Sequence, residues 1–153
     1  MRKPSETLVV DANIILSAVL GFRARPLLEQ IGARRALVIS SGAALEVRHV
    51  LSRIAPDTPI LIEIASEILE AIEMVEEVRY NDGLGAAAQS LRRAVGSRNG
   101  SINDAHILAL AWTYDADIWS HDRDFAGTGW PSWSSANLAA ALADEAGAEA
   151  QPI

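Results

Sequence analysis

The chain has 153 residues, half of them apolar, a formal net charge of −7 and no cysteine. That length suits one domain around one core, and the missing cysteine excludes disulfides, thiolate metal sites and thiol nucleophiles. No apolar run approaches the roughly 18 residues that span a bilayer, and the short run Leu8-Val9-Val10 before Asp11 is too brief for a signal peptide. A cytoplasmic protein without membrane contact is the expectation.

Thr7 to Val10 reads as a continuous apolar strand of the kind covered on both faces in a parallel sheet. It ends at Asp11-Ala12-Asn13, and a helix from Ile14 to Leu20 stops at Gly21. Arg25 to Gly32 forms a second helix and Ala36 to Ile39 a second buried strand, with Ser40-Ser41 capping a helix over Gly42 to Ile54. After Pro56 and Pro59, the periodicity predicts one helix from Ile60 to Val75, its glutamates forming a solvated face. Val78-Arg79-Tyr80 is expected as a short edge strand and Asn81-Asp82-Gly83 as a turn. A helix from Leu84 to Val95 closes at Gly96.

The helix opened by Asn103-Asp104 places Ile107, Leu108 and Ala111 on one apolar face, with His106 off that face and toward solvent. Ile118-Trp119-Ser120 is a short strand, and His121-Asp122-Arg123-Asp124 leaves it as a polar loop. Trp133-Ser134 is a last strand, followed by a helix from about Ala136 to Leu142. Residues 1–142 then make one domain, and 143–153 a flexible tail. Strands alternating with helices predict a three-layer α/β/α sandwich around a mostly parallel central sheet.

Ligands of such sheets bind beyond the C-terminal strand ends. Asp11 lies there after the first strand, Asp122 and Asp124 after the strand containing Ile118, and Asp104 and Glu46 early in helices that begin on that rim. Singly, each has an ordinary explanation: Asp11 as a helix cap, Asp104 as a dipole-stabilised first-turn acid, Glu46 as a solvated residue, Asp124 as a turn residue. Together they crowd one rim with no lysine near, and crowded carboxylates repel unless a cation lies between them. Oxygen ligands of this kind select Mg²⁺ or Mn²⁺.

The basic residues are nearly all arginine, in small groups, and Lys3 is the only lysine. Arginine's planar fork suits phosphate, although high-GC coding would give the same bias, and the net charge argues against avid nonspecific nucleic-acid binding. His49 and His121 have no paired histidine at metal-ligand spacing. Trp112 and Trp119 read as core, and Trp130 as a stacking or interface residue.

Val9-Val10-Asp11-Ala12-Asn13, Glu46, Asn103-Asp104-Ala105 and Trp119-Ser120-His121-Asp122-Arg123-Asp124-Phe125, in that order and spacing, resemble the PIN domain. More narrowly they are similar to the VapC-type ribonucleases of bacterial toxin–antitoxin pairs, from about Thr7 to Leu142. The resemblance implies an RNA endonuclease dependent on Mg²⁺ or Mn²⁺, with hydrolysis by a metal-activated water. It implies Asp11, Glu46, Asp104 and Asp122 as the acidic quartet, with Asp124 accessory and Asn13 and Ser120 as polar neighbours of the metal. Arg23, Arg25, Arg48 and Arg123 are the first candidates for binding RNA phosphates. The partners implied are an RNA substrate and a small antitoxin, and a homodimer is compatible with this reading. Asn103 departs from the pattern, since relatives often carry a second acid there, and one-metal and two-metal schemes both stay open.

Two rival readings and an inactive variant of the first stand beside this one. Gly83-Leu84-Gly85-Ala86-Ala87-Ala88 fits a G-x-G-x-x-A dinucleotide fingerprint, but the stretch before it is charged rather than a buried strand. An aspartyl-phosphate phosphotransfer domain would use Asp11 but lacks the lysine such sites need. A PIN-like fold acting through binding alone is the inactive variant.

Overall fold

In the computed structural model the described residues are 2–21, 23–93 and 104–150. Strand β1, Thr7–Val10, is the axis of the fold, with Leu8, Val9 and Val10 each 0% exposed. A strand this apolar demands cover on both faces, and it obtains it. Strands β2 (Ala36–Ser40), β3 (Glu73–Val75), β4 (Asp117–Trp119) and β5 (Ser132–Trp133) complete a sheet in the order β3-β2-β1-β4-β5, every pairing parallel.

The pleat divides the core. Leu8 and Val10 face a cluster built with helices α1 (Ala12–Leu20), α2 (Ala24–Gly32), α3 (Ser41–Ile54), α4 (Ile60–Glu70) and α7 (Ser135–Ala150). Val9, Val38 and Ile118 face a second cluster with α5 (Leu84–Arg93) and α6 (Ala105–Tyr114). The expected α/β/α sandwich is therefore present. Because the chain leaves β1 to build one side of the sheet and returns through α6 to β4 on the other, the strand order reverses between β1 and β4. Crevices at the C-terminal ends of such strands are where α/β sheets bind ligands.

Several elements differ from the sequence reading. The helix expected through Val75 stops at Glu70, and Glu73–Val75 instead pairs with β2 as an edge strand. Ile68, Ile72 and Val75 are buried either way, so the apolar spacing did not separate the two outcomes. The edge strand expected at Val78-Arg79-Tyr80 is a 3₁₀ turn over Glu77–Arg79, followed by another over Asn81–Gly83. No strand therefore leads directly into Gly83, where two 3₁₀ turns intervene after β3, which removes the dinucleotide-fingerprint reading. Helix α6 buries Ala105 and every residue from Ile107 to Ala111, not a single stripe. Asp115, left-handed at φ 49°, ends it and turns the chain into β4.

The final helix does not stop at Leu142 but continues to Ala150. Glu145 accepts hydrogen bonds from Arg35 at 2.8 Å and Arg34 at 3.1 Å, and Glu149 accepts from Arg34 at 3.3 Å. Those contacts dock the tail on the start of β2. The last two residues of the helix expected through Val95, the Gly96 stop and Asn103 lie outside the described residues.

Candidate metal centre

The three inner strand ends each deliver a polar residue to the rim. β1 delivers Asp11, β2 ends in Ser40, and Ser120 follows β4 directly; all are buried. The backbone N–H of Asp11 donates to Trp119 O at 3.0 Å, which locks the ends of β1 and β4 side by side. Asp11 holds the N-cap position of α1 yet makes no side-chain cap hydrogen bond. Its carboxylate instead accepts the Ser120 hydroxyl at 2.6 Å. The simple capping explanation for Asp11 therefore fails.

Ser120 Oγ is fully engaged. It donates to Asp11 Oδ2 and accepts the Asp122 N–H at 2.9 Å and Asn13 Nδ2 at 3.4 Å. Asn13 Oδ1 accepts the His121 N–H at 3.3 Å, and Asp122 Oδ1 accepts the Asp124 N–H at 2.9 Å. This net joins the start of α1 to the loop after β4 and fixes where Asp122 and Asp124 emerge.

Burial pushes the Asp11 carboxyl from 3.8 up to about 6; the Ser120 hydrogen bond opposes the rise, and Glu46 and then Asp122 add repulsion. Asp124 is also raised, by desolvation and then by Asp122. A carboxylate loses its ionised form this way when no cation offsets its neighbours. On the other flank, Ser40 caps α3 by accepting the Ala43 N–H at 3.0 Å, which sets the direction of the helix carrying Glu46. Asp104 occupies the N-cap position of α6 and, like Asp11, makes no side-chain cap hydrogen bond. One ligand atom each of Glu46, Asp104 and His106 lie within 4.8 Å of one another.

The structure thus brings Asp11, Glu46, Asp104 and Asp122 into one neighbourhood, with Asp124 beside Asp122. Asn13 and Ser120 sit between Asp11 and Asp122. The donor set, carboxylate oxygens plus one imidazole, fits a divalent cation. Glu46, Asp104 and His106 are the residues whose ligand atoms lie close enough to share one ion, while Asp11 feels the charges of Glu46 and Asp122 beside them.

His106 corrects the sequence reading. It is half-buried rather than turned to solvent, its Nδ1 lies 2.7 Å from Ser40 Oγ, and its ring lies against Gly42. The signal was hidden because His106 lies off the apolar stripe of its helix, whereas α6 is covered on more than that one face.

The arginines are less uniform. Arg25 is paired with Glu29 at 3.7 Å and Glu67 at 3.4 Å, so its guanidinium serves the α2–α4 contact. Arg23, Arg48 and Arg123 are exposed. Arg48 shares α3 with Glu46 and Arg123 follows Asp122, whereas Arg23 lies past the far end of α1, roughly 13 Å along it from the rim. Trp130, expected as a stacking or interface residue, packs on the α5–α6 cluster and donates Nε1 to Ala116 O at 2.8 Å. Trp112 packs on the same cluster, and Trp119 is 1% exposed.

A family model for the PIN domain matches residues 9–143. No curated protein sequence matches the chain significantly. Among solved structures, the chain is similar to VapBC2 from Rickettsia felis bound to a promoter DNA fragment, with TM-score 0.68 and 16% identity over 84% of this chain and 98% of that one. It is similar to VapBC-1 from nontypeable Haemophilus influenzae, with TM-score 0.64 and 18% identity over 85% and 98%. A third is Mycobacterium tuberculosis VapC20, described as a sarcin–ricin loop cleaving toxin, with TM-score 0.60 and 17% identity over 80% and 95%. At these identities the likeness is one of fold. Among the described residues no helix is long and apolar enough to cross a membrane.

Proposed function

Because the chain belongs to the PIN domain family, we propose that it is a single-domain, divalent-metal-dependent endoribonuclease, acting as the toxin of a toxin–antitoxin pair. The observation that carries the reading is the convergence on one rim of acids from β1, α3, α6 and the loop after β4. Burial first, and then repulsion from Glu46 and Asp122, pushes Asp11 up to about 6, and Glu46 meets Asp104 and His106 within 4.8 Å. A site built to leave carboxylates mutually repelling is one built for a cation.

Asp11, Glu46, Asp104 and Asp122 would hold Mg²⁺ or Mn²⁺, with Asp124 as an accessory acid. A divalent ion bound there supplies positive charge to a phosphodiester and an activated water for its hydrolysis. Ser120 keeps the Asp11 carboxylate aimed into the rim and, with Asn13, holds the loop that carries Asp122. Arg48 and Arg123 are the arginines best sited to bind RNA phosphates over the acids, which offsets the cost of bringing a polyanion to an acidic rim. The fold shared with toxins from VapBC pairs supports a small antitoxin partner.

The test is cleavage of RNA by purified wild-type protein with and without Mg²⁺ or Mn²⁺, beside Asp11→Asn and Asp104→Asn. Cleavage that needs the ion and vanishes in both variants, with the fold intact by circular dichroism, supports the reading. Full activity in either variant removes it. Metal binding without cleavage of any RNA would instead identify a domain that acts by binding alone.

A further inference from the structure

We propose that His106 is a nitrogen donor of the metal centre and tilts it toward Mn²⁺ and other transition ions over Mg²⁺. This rests on the metal-dependent reading of the site given above.

Three observations place the ring for that task. A ring nitrogen of His106 shares a sphere of 4.8 Å with one carboxylate oxygen each from Glu46 and Asp104. Its Nδ1 is 2.7 Å from Ser40 Oγ, a hydroxyl fixed because it also accepts the Ala43 N–H at the start of α3. Gly42 provides the bed: a Cβ there would come within 3.2 Å of the His106 ring, tight enough that the ring would have to give by a few tenths of an ångström. The ring is thus held by the same helix that carries Glu46 and by the same helix start that carries Asp104.

The role proposed for His106 requires the tautomer that carries its proton on Nδ1, toward Ser40 Oγ, with Nε2 turned to the ion. Metal-bound histidines are characteristically oriented in this way, by a hydrogen bond from the other ring nitrogen. Carboxylates alone suit Mg²⁺ and Mn²⁺ alike, whereas an imidazole favours first-row transition ions over the harder Mg²⁺. The imidazole is therefore the feature of this centre that discriminates between ions.

The experiment is pulsed electron paramagnetic resonance of the untagged full chain loaded with Mn²⁺, where a coordinated imidazole gives ¹⁴N modulation. His49, His106 and His121 are the only histidines, so His106→Gln assigns the signal. Expected are clear ¹⁴N modulation in the wild type and its loss in His106→Gln. Titrations of the variant should show Mn²⁺ affinity lowered by at least about tenfold, as even outer-sphere partners cost that much, and Mg²⁺ affinity little changed. Mn²⁺ bound without ¹⁴N modulation, or modulation that survives in His106→Gln, overturns the role of His106 and leaves the carboxylate centre standing. A wild-type chain that binds no Mn²⁺ overturns the centre as well.

Discussion

Ser120 Oγ sits 2.6 Å from Asp11 Oδ2, so the residue that follows β4 holds the acid that follows β1. The hydroxyl proton is committed to that carboxylate because the other contacts of Ser120 are bonds it accepts. Ser120→Ala should leave the fold intact, raise the Asp11 pKa beyond its present value of about 6, and weaken divalent-ion binding by about 10–100-fold. Calorimetric titration of Mg²⁺ and Mn²⁺ into wild type and variant checks it; equal affinities would deny Ser120 an orienting role.

Asp11 also sets a pH dependence for the metal-free protein. In the fold its carboxyl titrates near about 6, against 3.8 as the ordinary value. Between those values the folded state binds more protons than the unfolded state, so stability falls as pH rises through the window. The loss approaches about 3 kcal/mol once pH passes the folded value. In chelator, urea midpoints should therefore decline from pH 4 toward pH 7, and Asp11→Asn should flatten the decline and be the more stable protein at neutral pH. A flat wild-type profile across that window would contradict the burial argument.

The C-terminal helix titrates in the opposite sense and at lower pH. Hydrogen bonds from Arg35 and then Arg34 hold the Glu145 carboxyl down to about 2, from 4.5. A depressed carboxyl stabilises fully above its unfolded value and loses that contribution as pH falls through the folded one, so α7 should loosen below pH 4.5. Arg35 is buried with its Nε unpartnered, so Glu145 is its principal compensation. Glu145→Gln should lower the thermal midpoint by several degrees, and Glu149→Gln by much less, since the Glu149 side chain is 67% exposed. Scanning calorimetry of the two variants separates them, and equal midpoints would refute the distinction.

Arg48 and Arg123 make a prediction about substrate rather than metal. Both are exposed on elements that carry site acids, whereas Arg25 is already paired across α2 and α4. Arg48→Ala or Arg123→Ala should weaken RNA binding and flatten its dependence on salt by about one phosphate contact each, and Arg25→Ala should not. Salt-dependent binding of a labelled RNA to the four proteins is the measurement.

Much of this was legible in the chain. A run as apolar as Leu8-Val9-Val10 has to be a central strand, and an acid at its end then has to lie on the ligand-binding rim. Ser40 was readable as a cap because a hydroxyl before an apolar-periodic stretch satisfies a free N–H. Non-local effects were not readable. Glu73–Val75 became a strand because β2 offered an open edge, although the local spacing suited a helix. The Ala-rich end became α7 because Arg34 and Arg35, more than a hundred residues earlier, supply partners for Glu145. His106 reads as solvent-facing because a single apolar stripe is expected on α6, whereas packing covers that helix on more than one side.

The account depends on carboxylates gathered from four elements holding divalent metal at one rim. Diffraction from crystals soaked in Mn²⁺, recorded for its anomalous signal, tests that most directly. A peak within coordinating reach of Glu46 and Asp104, with Asp11 on the same ion or one water away, is the predicted result. Mn²⁺ absent from that rim at saturating concentration, with the acids each turned to an arginine instead, would contradict it.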